Sequence, residues 1–212
     1  MNDFVKFGEY LNDIIIDFYL MHLLYTLPEN LRGEIQIFPT TFYKRLCDVE
    51  QTTRGGVNTT GLTNAEKMHL GVKKWTKNID IFKKKLLLIP VCQSAHWFMI
   101  VVLLPELLLI RKNPQLETAL VILNSLDGDC EDAVQNISFY LQEELVDKKG
   151  VKIKNKDFHV VYPPCPKQAD GFSCGIFLLH YSEMILSRLK SVLVVPYKSC
   201  IAWAELGNNN SC

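Results

Sequence analysis

Apolar residues recur near helical spacing between residues 10 and 27, at Leu11, Ile14, Ile15, Phe18, Leu20, Met21 and Leu24, and predict a helix there. Asn12 and Asp13 suit its first turn, and Pro28 lies just past its end. A short helix is expected over Thr40 to Asp48, with Pro39 and Thr40 at its start. Residues 49–71 then turn polar and rich in Thr, Gly and Asn, which predicts a mobile surface insertion with a short helix near Asn64 to Leu70. The pattern changes again at Leu86. Leu86 to Val91 reads as a strand ended near Pro90, and Trp97 to Leu104 as a strand buried on both faces, because its apolar run does not alternate. A long connection over residues 105–118 leads to a third strand, Ala119 to Leu123, that ends at Asn124-Ser125. Val134, Ile137, Leu141 and Leu145 form one stripe of a helix over Glu131 to Asp147, stopped by Lys148-Lys149-Gly150. Phe158 to Tyr162 is a short strand, and Pro163-Pro164-Cys165-Pro166 forbids regular structure after it. A strongly apolar helix over Gly175 to Leu189 begins just after Cys174. This order predicts a single α+β domain over residues 1–206, with loop insertions at 49–71 and 105–118 and a frayed tail at 207–212.

Composition narrows the classes. The chain has 212 residues, nearly half of them apolar, enough for a sizeable core. Lys plus Arg equals Asp plus Glu, at 23 each, so no broad electrostatic grip on nucleic acid is expected; the local run Lys83-Lys84-Lys85 reads as a solvated edge. The seven cysteines are odd in number and scattered, and none forms a C-x-x-C pair. No basic leader opens the chain, so reduced thiols in a cytosolic or nuclear setting are expected, without a metal site. The most apolar stretch, Leu86 to Ile110, is interrupted by Pro90, Gln93, His96, Pro105 and Glu106, so buried strands rather than a membrane span are expected.

Four residues at element ends carry candidate chemistry. A cysteine attacks as its thiolate, a form favoured at a helix N-terminus and beside an imidazolium. Cys174 opens the last predicted helix, and Gly175 after it allows close approach of backbone or substrate. A free cysteine in such a place is, taken alone, more often a core residue. His96 sits between two strands, where its ring can face a cleft, whereas His22 and His180 fall inside helices, His69 in the polar insertion and His159 in a strand. A histidine base needs an acceptor for its other ring nitrogen. Asn124 at the end of the third strand can supply one, and Asp127 is the charged alternative. Gln168, six positions before Cys174, offers an amide donor for a developing oxyanion.

The residues that carry this order resemble the Ulp/sentrin-specific (SUMO) cysteine protease family, peptidase C48-like. The likeness spans about residues 8–206 and rests on several segments. His96-Trp97 and Gln168-Ala169-Asp170-Gly171-Phe172-Ser173-Cys174-Gly175 resemble the family's catalytic segments, and Tyr10 to Leu20 its opening helix. Phe42-Tyr43-Lys44-Arg45-Leu46 and Trp75 to Phe82 are similar to the branch that edits SUMO chains. The resemblance implies a papain-like α+β fold with a central mixed sheet flanked by helices. It implies Cys174 as nucleophile, His96 as general base and acid, and Gln168 as oxyanion donor. It also implies Trp97, Tyr10 and Gly175 on the substrate side, with Trp97 over a narrow tunnel that passes only the Gly-Gly tail of SUMO. The implied activity is isopeptide hydrolysis through a thioester, without cofactor, on SUMO conjugates or chains, by a monomer that needs neither nucleic acid nor membrane. The implied location is nuclear, with the cytoplasm as a further site.

Two departures from the family pattern are visible. Asn124-Ser125-Leu126 stands where the family has Asp-Ser-Leu, so the third position orients without charge, and Ser173 stands where Asp usually precedes the cysteine. The 28 positions from His96 to Asn124 (124 minus 96) exceed those of simpler members, and the 105–118 connection accounts for the excess. Asn124 leaves a docking module without turnover as the alternative reading.

Overall fold

The computed structural model describes residues 8–55, 58–109, 117–153 and 158–188. The expected tail at 207–212, the last residue of the helix predicted to Leu189 and residues 110–116 of the 105–118 connection lie outside them. The elements run α1 (Asp13–Thr26), α2 (Glu29–Arg32), β1 (Ile35–Ile37), α3 (Thr41–Cys47), α4 (Val49–Arg54), α5 (Asn64–Val72), β2 (Leu86–Gln93), β3 (His96–Leu103), β4 (Ala119–Leu123), α6 (Glu131–Lys149), β5 (His159–Val161) and α7 (Cys174–Ser187), with 3-10 turns at Lys73–Thr76, Ile81–Lys83 and Pro105–Leu109.

The five strands form one mixed sheet in sequential order. β1 is parallel to β2, β2–β3 and β3–β4 are antiparallel, and β5 is parallel to β4. Consecutive side chains of a strand point to opposite faces, and here both faces are covered. Leu86 and Leu88, Met99 and Val101, and Val121 and Leu123 meet Ile16 and Leu20 of α1 and Leu178, Tyr181 and Ile185 of α7. On the other face Leu87 and Ile89, Ile100 and Val102, and Ile122 meet Phe42 and Leu46 of α3, Met68 of α5 and Ile137, Tyr140 and Leu141 of α6. Burial on both sides is the reason these strands read as unbroken apolar runs. The fold is α+β, a mixed sheet between helices, as the sequence predicts.

Three details depart from the sequence reading. β2 continues through Pro90 to Gln93. Leu86 N–H donates to Glu34 and Leu88 C=O accepts from Phe38 N–H, so the same edge of Pro90 lies beyond β1 and has no ladder bond to lose. Residues 49–71 hold the helix expected near Asn64, as α5, and also a second one, α4, that the sequence reading does not foresee. Asp48 Oδ1 caps α4 through Gln51 N–H at 2.9 Å, and Thr63 and Glu66 form a reciprocal capping box on α5. Gly71 serves the contact between them: a Cβ there would lie 2.6 Å from Thr52 Oγ1. Finally, α1 buries Ile16, Leu20 and Leu23, whereas Ile14, Phe18, Met21 and Tyr25 are exposed. A helix apolar on every side gives no period from which to choose the buried face.

Candidate active site

The β2–β3 hairpin sets the first candidate residue. Ser94 and Ala95 both have positive φ, at 52° and 58°, the requirement of a two-residue turn that matches strand twist. His96 follows as the first residue of β3 and is half-buried. The β3–β4 register pairs Met99 with Leu123, which carries Asn124, one step on, to the strand face shared by Phe98 and His96. His96 Nε2 meets Asn124 Oδ1 at 2.7 Å, and the ring stacks along Phe98 with centroids 6.2 Å apart. An amide oxygen only accepts, so Nε2 carries the hydrogen and Nδ1 keeps its lone pair.

The Asn124 amide has little freedom. Its Oδ1 also accepts from Leu126 N–H at 3.0 Å, and its Nδ2 donates to Gly128 O at 3.5 Å and Cys130 Sγ at 3.3 Å. Burial, the larger effect, pushes the Cys130 thiol up, and Asn124's hydrogen bond acts against it. Asp127, the charged alternative, is turned away: its side chain is 92% exposed and pairs with Lys167 at 2.9 Å.

Cys174 is the first residue of α7 and is 1% exposed. The helix packs on α1 and on β3, the strand that His96 begins. Cys92, paired across the hairpin with Trp97, senses the same thiol: burial pushes Cys92 up, and the nearby Cys174 adds to that. Ahead of the helix, Asp170 Oδ1 accepts from Phe172 N–H at 2.9 Å and Ser173 N–H at 2.7 Å, and Oδ2 from Ser173 Oγ at 2.5 Å. These bonds, the Ser173 side chain first, hold the Asp170 carboxyl below its usual range. The loop before Cys174 is thus closed on itself, and Ser173 at the N-cap makes no side-chain cap bond to α7.

The proline-rich segment is stitched to the end of β4. Cys165 Sγ and Lys167 Nζ both donate to Asn124 O, at 3.2 and 3.1 Å, and Gln168 N–H donates to Ser125 O at 3.1 Å. Tyr181 of α7 donates to Pro166 O. Gln168 is 9% exposed; its Oε1 accepts from Ser125 Oγ at 2.7 Å and its Nε2 donates to Asp170 O at 2.7 Å.

Of the remaining residues singled out by sequence, Trp97 is half-buried against the α1–α7 side of the core and Tyr10 is 59% exposed. Gly175 is buried, and a Cβ on it would lie 2.8 Å from Leu11 Cβ, so the position demands glycine for helix packing. Sequence reasoning passed over Ser125, Cys165 and Lys167; the quoted segment Asn124-Ser125-Leu126 was the available signal.

Among the described residues one set of His, Cys, Asp or Glu is close enough to hold a metal: His69, Glu144 and Asp147, between α5 and α6. Their atoms are already engaged. Glu144 takes His69 Nε2 at 2.6 Å and Thr76 Oγ1 at 2.7 Å, and Asp147 pairs with Lys73. No described helix is long and apolar enough to cross a membrane.

Comparison with known proteins identifies the family and the fold. Residues 9–193 match the model of the Ulp1 protease family, C-terminal catalytic domain. Ubiquitin-like-specific protease 2 of Schizosaccharomyces pombe is 29% identical over 215 residues, which cover 88% of this chain and 32% of that protein. Sentrin-specific protease 6 of Mus musculus is 46% identical over 101 residues, 47% of this chain and 9% of that protein. The chain therefore spans about a third or less of these curated relatives. A crystal structure of a de-sumoylating protease superposes with a TM-score of 0.73 at 21% identity, over 91% of this chain and 68% of the other.

Proposed function

The chain belongs to the Ulp1 protease family, and from that premise we propose that it is a SUMO-specific cysteine isopeptidase that hydrolyses the bond after the SUMO C-terminal Gly-Gly. The observation that carries the reading is the hydrogen bond from His96 Nε2 to Asn124 Oδ1, 2.7 Å long, between the start of β3, the strand on which α7 packs, and the end of β4. It fixes the tautomer in which Nδ1 is free to act as base.

In this reading Nδ1 of His96 takes the proton of the Cys174 thiol. The sulfur, at the positive end of α7, attacks the carbonyl carbon of the terminal glycine. The carbonyl oxygen becomes negative and accepts the Nε2 hydrogen of Gln168 that is not already given to Asp170 O. His96 returns the proton to the leaving lysine amine as the tetrahedral centre collapses, and a thioester remains. Water, deprotonated by His96, then attacks the thioester, and Cys174 leaves with the SUMO carboxylate released. No cofactor enters. Trp97, on the rim formed by the hairpin, and the exposed Tyr10 take the substrate side.

The likeness to sentrin-specific protease 6 favours the chain-editing branch, with SUMO chains and SUMO-conjugated proteins as substrates, acting as a monomer in the nucleus with the cytoplasm as a further site. Asn124 favours one second reading, a SUMO-binding pseudo-protease, because an amide cannot neutralise an imidazolium. Covalent capture by SUMO bearing a C-terminal electrophile separates the two. An adduct that requires Cys174 supports the protease; binding without an adduct supports the docking module.

A further inference from the structure

We propose that Ser125 is a positioning residue for Gln168, fixing which end of the buried amide faces the nucleophile. The inference rests on the reading of Gln168 as oxyanion donor, and it assigns a role to a residue that the triad scheme leaves out.

Ser125 is 1% exposed. Its hydroxyl donates to Gln168 Oε1 at 2.7 Å, and its carbonyl accepts the Gln168 N–H at 3.1 Å. The two ends of a glutamine amide are almost alike in shape, so contacts alone choose between them. Asp170 O at 2.7 Å rejects an oxygen and demands the Nε2 end. The Ser125 hydroxyl supplies the complementary demand at Oε1. Removing it leaves a buried acceptor without a donor, and the amide gains by turning away to find one. With both bonds in place one Nε2 hydrogen is spent on Asp170 and the other is free.

The position in the fold explains why one dipeptide can serve two ends of the site. Just beyond β4 the chain bends, and the two neighbouring side chains go to different partners. Asn124 reaches His96 at 2.7 Å while Ser125 reaches Gln168. The segment carrying Gln168 is itself bound to the carbonyl of Asn124 through Cys165 and Lys167. Base and oxyanion donor therefore take their orientation from adjacent residues.

The test uses the full chain as wild type, Ser125→Ala, Gln168→Ala and the double variant. Each is assayed on a SUMO C-terminal amide with a fluorogenic leaving group and on SUMO ending in a propargyl group. The alkyne captures the Cys174 sulfur without putting charge on a carbonyl oxygen. Gln168→Ala is expected to lower kcat by about 10²–10³. Ser125→Ala is expected to lower kcat by about five- to thirty-fold, the hold of one buried hydrogen bond, with KM little changed. The double variant is expected to be no slower than Gln168→Ala, and propargyl capture to stay near the wild-type rate throughout. The proposal is overturned if the two losses add, if Ser125→Ala leaves kcat unchanged while Gln168→Ala is impaired, or if Ser125→Ala also loses propargyl capture. A Gln168→Ala variant with wild-type kcat would remove the oxyanion role and the proposal together. A wild type inert to both substrates would instead reject the protease reading from which both derive.

Discussion

Replacing Asn124 by Asp puts a charge where the structure now holds an amide, 2.7 Å from His96 Nε2. At a separation of about 4 Å and an effective dielectric of about 20, a carboxylate and an imidazolium attract by about 4 kcal/mol. Position 124 is only 7% exposed, so desolvation of the carboxylate takes back a large part. The site softens that cost. Leu126 N–H, 3.0 Å from Oδ1, continues to donate, and the Cys130 thiol, 3.3 Å from Nδ2, can rotate to donate to the new oxygen. Gly128 O at 3.5 Å acts against it. We expect a net gain of about 1–2 kcal/mol for the imidazolium, which raises the thiolate–imidazolium population about five- to thirty-fold. The assay is the second-order rate of capture by a SUMO C-terminal electrophile from about pH 5 to about pH 9. The variant should react faster at neutral pH, and its alkaline limb should move to higher pH because the added carboxylate keeps the imidazolium charged longer. A slower reaction in a variant that still folds, or an unmoved alkaline limb, refutes the reasoning.

Two further predictions concern stability. Gly175→Ala drives a Cβ to 2.8 Å from Leu11 Cβ, an atom that cannot swing aside, and should cost about 1–3 kcal/mol in denaturant unfolding; an unchanged midpoint would remove the packing account of that glycine. Ala95→Gly relieves a residue held at φ 58°, and after the entropy cost of glycine it should stabilise by up to about 1 kcal/mol, read as a rise of about 2–4 °C in Tm. A fall in Tm would show that the hairpin turn carries no such strain.

The sheet was legible because burial on both faces makes strands such as Leu120, Val121 and Ile122 uniformly apolar, and uniform apolarity between turn residues has few other readings. The same uniformity hid the buried face of α1, where Phe18 is 73% exposed beside the fully buried Leu20. In the 49–71 stretch α5 was legible, with Thr63 and Glu66 at capping-box spacing, whereas the Thr- and Gly-rich composition hid α4, although Asp48 stood at its cap. In the candidate site, His96, Asn124 and Cys174 could be singled out from their places at element ends, and Gln168 from its spacing to Cys174. The choice between Asn124 and Asp127 could not, because it depends on the β3–β4 register and on Lys167, 40 positions beyond Asp127 (167 minus 127). Ser125 stood in the segment Asn124-Ser125-Leu126, but its contact with Gln168 was not legible: the partner lies 43 residues away, and no local spacing encodes a contact of that range.

The central claim is that Cys174, served by His96, attacks the tail of SUMO. Mass spectrometry of the intact chain after incubation with a SUMO C-terminal electrophile tests it directly, with Cys174→Ala and His96→Ala alongside. The account predicts one SUMO adduct on the wild type, located at Cys174, absent from Cys174→Ala and strongly slowed in His96→Ala. An adduct that persists in Cys174→Ala, or SUMO bound to the wild type without any adduct, would contradict it.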